Sequence, residues 1–219
     1  EKFEIALNWQ EYLIKRGFSG VPGLLKTSSG QSYLKLDDKT YYLTSSPPRI
    51  KFTGRTPEHL LLAAEGLGKM HELSKDFFIK VAIDNRKKPW PKIYQEKLTE
   101  LLIFFHMLKQ ERIRNDFERL YVENFDFLYS QGQEALQKMI MAGYGTGQAE
   151  RNETMLVNSF KSEDLAVCDG HILFLNLREW DTGSKINDLA LFINRYLPRH
   201  RWNRELLREV LERYRKNSD

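Results

Sequence analysis

The dipeptide Asp169-Gly170 lies between two apolar runs, Leu165-Ala166-Val167-Cys168 and Ile172-Leu173-Phe174-Leu175. A two-residue type I′ turn needs φ > 0 at both central positions, and Asp-Gly is among the pairs that accept this most readily. The spacing therefore predicts a β-hairpin. Polar segments bracket it, residues 158–164 before and 176–187 after, and Asp188 then opens the run Leu189-Ala190-Leu191-Phe192-Ile193. The stretch reads as loop, strand, turn, strand, loop, helix. A short hairpin that holds two polar loops side by side is a natural platform for a site.

The rest of the 219 residues suits one or two compact domains with a core, at 41% hydrophobic and 29% charged. The net charge of +4 arises from 34 basic and 30 acidic residues mixed along the chain. Only short basic clusters occur, Arg86-Lys87-Lys88 and Arg199-His200-Arg201, so a nucleic-acid partner is not expected. The lone cysteine, Cys168, excludes an intrachain disulfide and a cysteine-based zinc site, which fits a reducing compartment. No apolar run approaches the ~18 residues of a membrane span. The first residues are charged and helical in pattern, unlike a signal peptide.

In chain order, Ile5, Trp9 and Leu13 recur at helical spacing within 3–16, and Gly17 stops that helix. A short strand is expected at 24–27, then paired strands at 32–36 and 40–44 around Asp37-Asp38-Lys39. Ser45-Ser46-Pro47-Pro48 breaks regular structure and reads as a hinge, dividing residues 1–48 from 49–219. Thr56-Pro57 starts a helix to about Ser74, with a hydroxyl N-cap and proline at the first helical position. His71 on that helix has no partner at metal-ligand spacing and reads as a hydrogen-bonded structural histidine. Helices at 92–113 and 116–141 carry Phe104, Phe105, Phe117, Tyr121, Phe125, Phe127 and Tyr129 at spacings that predict core packing over a cation cage. Gly143-Tyr144-Gly145-Thr146-Gly147 lacks phosphate-loop spacing and reads as a connection. Two helices, about 188–197 and from Asn203 onward, close the chain, the second burying Leu206, Val210, Leu211 and Tyr214.

This order of elements resembles the protein-kinase-like fold in its aminoglycoside and choline phosphotransferase form. Within it the sequence resembles the CotS/YutH family of bacterial spore-coat proteins. The likeness is carried by Gly17-Phe18 through Thr27, Tyr33-Leu34-Lys35, Tyr41-Tyr42-Leu43-Thr44 and Gly54-Arg55. It continues through Leu67-Gly68-Lys69-Met70-His71-Glu72-Leu73, the Asn187-Asp188-Leu189-Ala190 signature and Leu211-Glu212-Arg213-Tyr214. The resemblance implies an α+β fold with a partial N-terminal lobe and a mostly helical C-terminal lobe. The glycine-rich strand pair and lysine that hold nucleotide in such enzymes would lie before Glu1, and the sequence opens without methionine. Glu4 stands near the helix position that pairs with that lysine, or is a solvated first-turn glutamate.

The resemblance also implies a site, and the residues depart from it. Family members with an intact site carry a His-x-Asp-x-x-x-x-Asn loop. Here Asn158 stands at the histidine, Phe160 at the catalytic aspartate and Leu165 at the metal-binding asparagine. Asn176 takes the place of the metal-binding aspartate, and Arg178 stands where a further carboxylate would be. Phenylalanine accepts no proton, leucine offers no ligand oxygen, and an amide does not neutralise a cation as a carboxylate does. A shifted alignment nominates Glu163 or Asp164 as base and Glu179 or Asp181 as metal ligand. Asp188 is retained, as a brace for the loop or locally as a helix N-cap.

The expectation is a non-catalytic, pseudokinase-like endospore coat protein, made in the mother-cell cytoplasm, that binds other coat proteins and requires no cofactor. Two alternatives remain. One is an ATP- and magnesium-dependent phosphotransferase of a sugar, aminoglycoside or choline-like alcohol using the displaced carboxylates. The other is a nucleotide- or anion-binding module without turnover, with Lys161, Asn176 and Arg178 as contacts.

Overall fold

The computed structural model describes residues 2–37, 39–77, 89–111, 115–144 and 153–218. Contacts divide the chain into two units, Glu1–Val81 with Glu153–Asp219, and Ala82–Asn152. Three features of the sequence, residues 86–88, Asp38 and residues 145–147, lie outside the described residues.

In the first unit, helix α1 (Lys2–Lys15) buries Ala6, Trp9 and Leu13, one helical face. The Trp9 indole donates to Ser74 Oγ at 2.8 Å, which satisfies its one polar atom inside the core. Gly17 ends the helix at φ +77°, and the Phe18 amide folds back to the Leu13 carbonyl at 3.0 Å. Strands β1 (Leu24–Leu25), β2 (Leu34–Leu36), β3 (Lys39–Tyr41) and β4 (Leu43–Thr44) follow. β2 pairs with β3 antiparallel, but β4 turns away to pair with β1. The expected 32–36/40–44 hairpin is thus shorter and shared between two small sheets. Its exposed leucines, Leu34, Leu36 and Leu43, bury no face that would fix one long register.

Strand β5 (Ile50–Lys51) leads into helix α2 (Pro57–Ser74). Thr56 is the N-cap and Pro57 opens the helix, but the threonine side chain makes no capping bond. Helix α2 is the centre of the unit. It buries Leu60, Ala63, Ala64, Leu67 and Met70, and packs against α1 and later elements of the chain.

In the second unit, α3 (Trp90–Gln110) and α4 (Asp116–Met141) pack together. Asn115 and Glu118 form a reciprocal capping box, each side chain meeting the other's amide at 2.9 Å. Phe105 stacks on Phe125 with centroids 3.8 Å apart, and Phe125 on Tyr129 at 5.3 Å. The core-packing expectation holds for these rings. Phe104, Phe117 and Phe127 are exposed instead.

The chain returns to the first unit as β6 (Glu153–Leu156). The hairpin β7 (Leu165–Cys168) and β8 (His171–Phe174) follows, then β9 (Asp181–Ser184), α5 (Lys185–Tyr196) and α6 (Arg204–Arg215). β5, β7 and β8 form an antiparallel sheet, with Ile50 opposite Val167 and Leu165 opposite Phe174. The turn has φ +46° at Asp169 and +75° at Gly170, as a type I′ turn demands. β6 pairs with β9, Met155 opposite Thr182 and Leu156 opposite Asp181. The expectation of a loop over 176–187 is corrected by β9, which Asp181-Thr182-Gly183-Ser184 does not announce because it has no apolar alternation to mark a strand.

One core unites these elements: Leu60, Leu67 and Met70 of α2, Ile172 and Phe174 of β8, Phe192 and Tyr196 of α5, Val210 and Tyr214 of α6. Gly66 lets α2 meet β8, since a Cβ there would sit 2.1 Å from Ile172 Cγ2. Among the described residues no helix is long and apolar enough to cross a membrane.

Candidate functional site

The loop between β6 and β7 is held at its start by a buried carboxylate. Asp188, fully buried in the first turn of α5, accepts the Val157 amide at 2.6 Å and the Asn158 amide at 2.9 Å. Its third partner is His71 Nε2 at 3.1 Å, and His71 Nδ1 lies 2.8 Å from the Tyr214 hydroxyl. These residues stand far apart in sequence, but α2, α5 and α6 bring them into one cluster. A neutral His71 protonated on Nε2 satisfies both contacts, donating to Asp188 and accepting from Tyr214. Burial pushes the Tyr214 hydroxyl up to about 12, so it stays a donor throughout the neutral range. The histidine is therefore hydrogen-bonded structure. The N-cap of α5 is Ser184, one turn earlier than the local reading of Asp188 as cap. The β9 pairing carries the chain into α5 before Asp188 is reached.

Asn158 adopts φ +55°, a left-handed conformation that asparagine tolerates, and its side-chain amide donates to the Glu179 carbonyl at 3.3 Å. Phe160 is buried in the core, its ring edge-on to Phe192 at 5.6 Å, and its carbonyl accepts from the Tyr196 hydroxyl. Leu165 is buried at the start of β7. Both side chains serve packing, with no polar atom to present.

The carboxylate nearest to these positions in the loop is also occupied. Asp164 is buried, accepting the Ser159 hydroxyl at 2.8 Å on one oxygen and the Asn176 side-chain amide at 3.1 Å on the other. The Asn176 carbonyl oxygen in turn accepts the Arg178 amide at 3.0 Å and Arg178 Nε at 3.1 Å. Ser159, Asp164, Asn176 and Arg178 thus form one chain of bonds. Sequence reading named three of these residues but not their union; the missing signal was Ser159, five residues before Asp164.

Of the other candidates, Lys161 is exposed, and its carbonyl accepts the Asp164 amide at 3.0 Å. Glu163 lies in a 3-10 turn, Ser162–Asp164. Glu179 is exposed, while Asp181 lies in β9 and accepts the Thr182 amide at 2.8 Å. Asn176 and Arg178 come together, whereas Lys161 meets this cluster through its backbone carbonyl, at the Asp164 amide. Among the described residues no group of three or more His, Cys, Asp or Glu side chains could hold a metal ion. Glu4 forms an ion pair with Lys35 of β2, whose ammonium holds the carboxyl below its usual range. It is not the purely solvated glutamate that its first-turn position suggests.

Among the hollows that indent this unit, two differ in their relation to the loop. One, about 330 Å³, lies among Phe18, Leu62, Gly66, Lys69 and Ile172 and includes none of the candidate residues. The other, about 700 Å³, is lined by Lys51, Phe52, Thr53, Arg55, Ser162 and Arg199.

The fold matches solved phosphotransferases. An aminoglycoside phosphotransferase from Alicyclobacillus acidocaldarius superposes with TM-score 0.80 at 17% identity, over 97% of this chain and 64% of that one. The amicoumacin kinase hAmiN, in complex with AMP-PNP, Ca2+ and amicoumacin, gives 0.58 at 13%, over 99% and 62%. The spectinomycin phosphotransferase APH(9)-Ia, bound to AMP, gives 0.55 at 15%, over 96% and 66%. The chain thus spans just under two thirds of the length of each, and identities this low establish the kinase-like fold alone. No curated protein matches the sequence. The whole of residues 1–219 matches the family described as "Spore coat putative kinase YutH". The chain therefore belongs to the YutH family of kinase-like spore-coat proteins.

Proposed function

We propose that this chain is a non-catalytic, pseudokinase-like component of the endospore coat, acting by binding other coat proteins during assembly. The observation that carries the reading is the burial of Phe160 against Phe192, at the position where the resemblance places the catalytic aspartate. Phosphoryl transfer depends on a positioned base and on metal charge more than on covalent chemistry. Phenylalanine and leucine supply neither, and Asp164, the displaced candidate, is engaged by Ser159 and Asn176. The family supports a spore-coat context, and synthesis in the mother-cell cytoplasm belongs to the same proposal. So does the division into an N-terminal remnant, residues 1–48, and a C-terminal lobe, residues 49–219.

Thermal melting of the full-length protein with ATP, magnesium, both or neither separates the three readings. A scaffold shows no shift, and a binding module shows stabilisation by mass action without turnover. A phosphotransferase shows magnesium-dependent stabilisation together with ADP release when a small alcohol, sugar or aminoglycoside acceptor is added. Robust metal-dependent ADP release overturns the proposal.

A further inference from the structure

Lys51, Arg55 and Arg199 converge on the open cleft of about 700 Å³ beside Ser162. Every charged residue lining it is a cation. Among the described residues none of the three is paired with a carboxylate in the way that Lys35 is with Glu4 or Lys69 with Glu65. The cleft is also built on fixed elements. β5 is paired to β7, and Phe52, fully buried, packs edge-on against Tyr196 at 5.1 Å. Arg199 Nη1 donates to the Thr53 carbonyl, and its guanidinium lies 5.0 Å over the Tyr196 ring. That anchorage uses one donor of a five-donor fork. Three unpaired cations on a rigid base attract an anion, and the Arg forks match carboxylates in bidentate geometry.

The cleft is open on its solvent side, so a chain can cross it. An extended peptide exposes every second side chain on one face at a spacing of about 6–7 Å, so successive acidic residues can meet separate cations. We infer that the Lys51–Arg55–Arg199 cleft docks an Asp/Glu-rich segment of a partner protein. This rests on the binding role proposed above and locates it.

The test is fluorescence anisotropy of a labelled oligo-glutamate peptide with the full-length protein, beside an oligo-glutamine peptide. Saturable binding of the acidic peptide alone is expected, weakening as salt is added. Lys51→Glu with Arg55→Glu should reduce affinity by about tenfold or more, because rim charges are reversed. The charge-matched control, Lys92→Glu with Arg208→Glu, alters exposed residues outside the cleft and should change it by less than about twofold. Should the reversal variant fail to fold by circular dichroism, Lys51→Ala with Arg55→Ala is expected to weaken binding in the same direction. Absence of peptide binding, equal loss in cleft and control variants, or displacement of the peptide by pyrophosphate at lower concentration than by unlabelled peptide overturns the inference. Because no nucleotide is present, these outcomes leave the non-catalytic reading untouched, and ADP release would end that reading without bearing on the cleft.

Discussion

Asp188 and Asp164 are two buried carboxylates at opposite ends of one loop, and they are held differently. Asp188 binds two backbone amides and the His71 ring. Asp164 binds the side chains of Ser159 and Asn176. Backbone amides are present whatever side chains the loop carries, so the Asp188 brace is compatible with a working loop and with a degenerate one. The Asp164 cluster exists only because serine and asparagine stand at those two positions. The first carboxylate reports the fold; the second reports what has become of the loop.

If this distinction is right, Asp188→Ala is the most damaging change in the region. It leaves two amides and His71 without their acceptor, and the loss should be about 3–5 kcal/mol, read as a large fall in the thermal midpoint or failure to fold. A midpoint close to wild type would mean that the loop does not depend on the brace. Phe160→Ala comes next, at about 3 kcal/mol, because it empties a packed site against Phe192. An effect under about 0.5 kcal/mol, the range of ordinary surface changes, would show that Phe160 is not core and would reopen the loop to ligands. Tyr214→Phe removes one hydroxyl from the His71 cluster and should cost about 1–2 kcal/mol in chemical denaturation.

The smallest expected effect lies on α1, outside both clusters. Lys26, with Ser32 and Lys15, holds Glu11 at about 2, below its ordinary 4.5. A carboxyl lowered in the folded state adds stability that is complete above about 4.5 and is lost as pH falls toward about 2. Solvent screens the partly exposed Lys26 pair, so the contribution should stay near 1 kcal/mol. Glu11→Gln should lower stability at neutral pH by about that 1 kcal/mol and flatten the profile over that window, the difference from wild type vanishing as pH approaches about 2. An unaltered acid limb would remove Glu11 from the account.

Much of the frame was legible because it is local. Asp169-Gly170 specifies its turn, and apolar runs mark β7, β8 and the helices through period and punctuation. Position in the resemblance singled out Phe160 and Leu165. What escaped depends on tertiary pairing. β6 and β9 are recognisable as strands only through each other, since Gly183 and Thr182 carry no strand pattern. The contact of His71 with Asp188 joins residues 117 positions apart, which no spacing rule reaches. Asp164 read as a displaced base because its partners, Ser159 and Asn176, become visible only when the hairpin closes.

Magnesium-dependent ADP release from ATP, measured for the full-length wild type and Asp164→Asn side by side with small alcohol and sugar acceptors, bears most directly on the non-catalytic claim. The account predicts no release above the protein-free background for either. Release by the wild type that Asp164→Asn abolishes would contradict it and make Asp164 a working base.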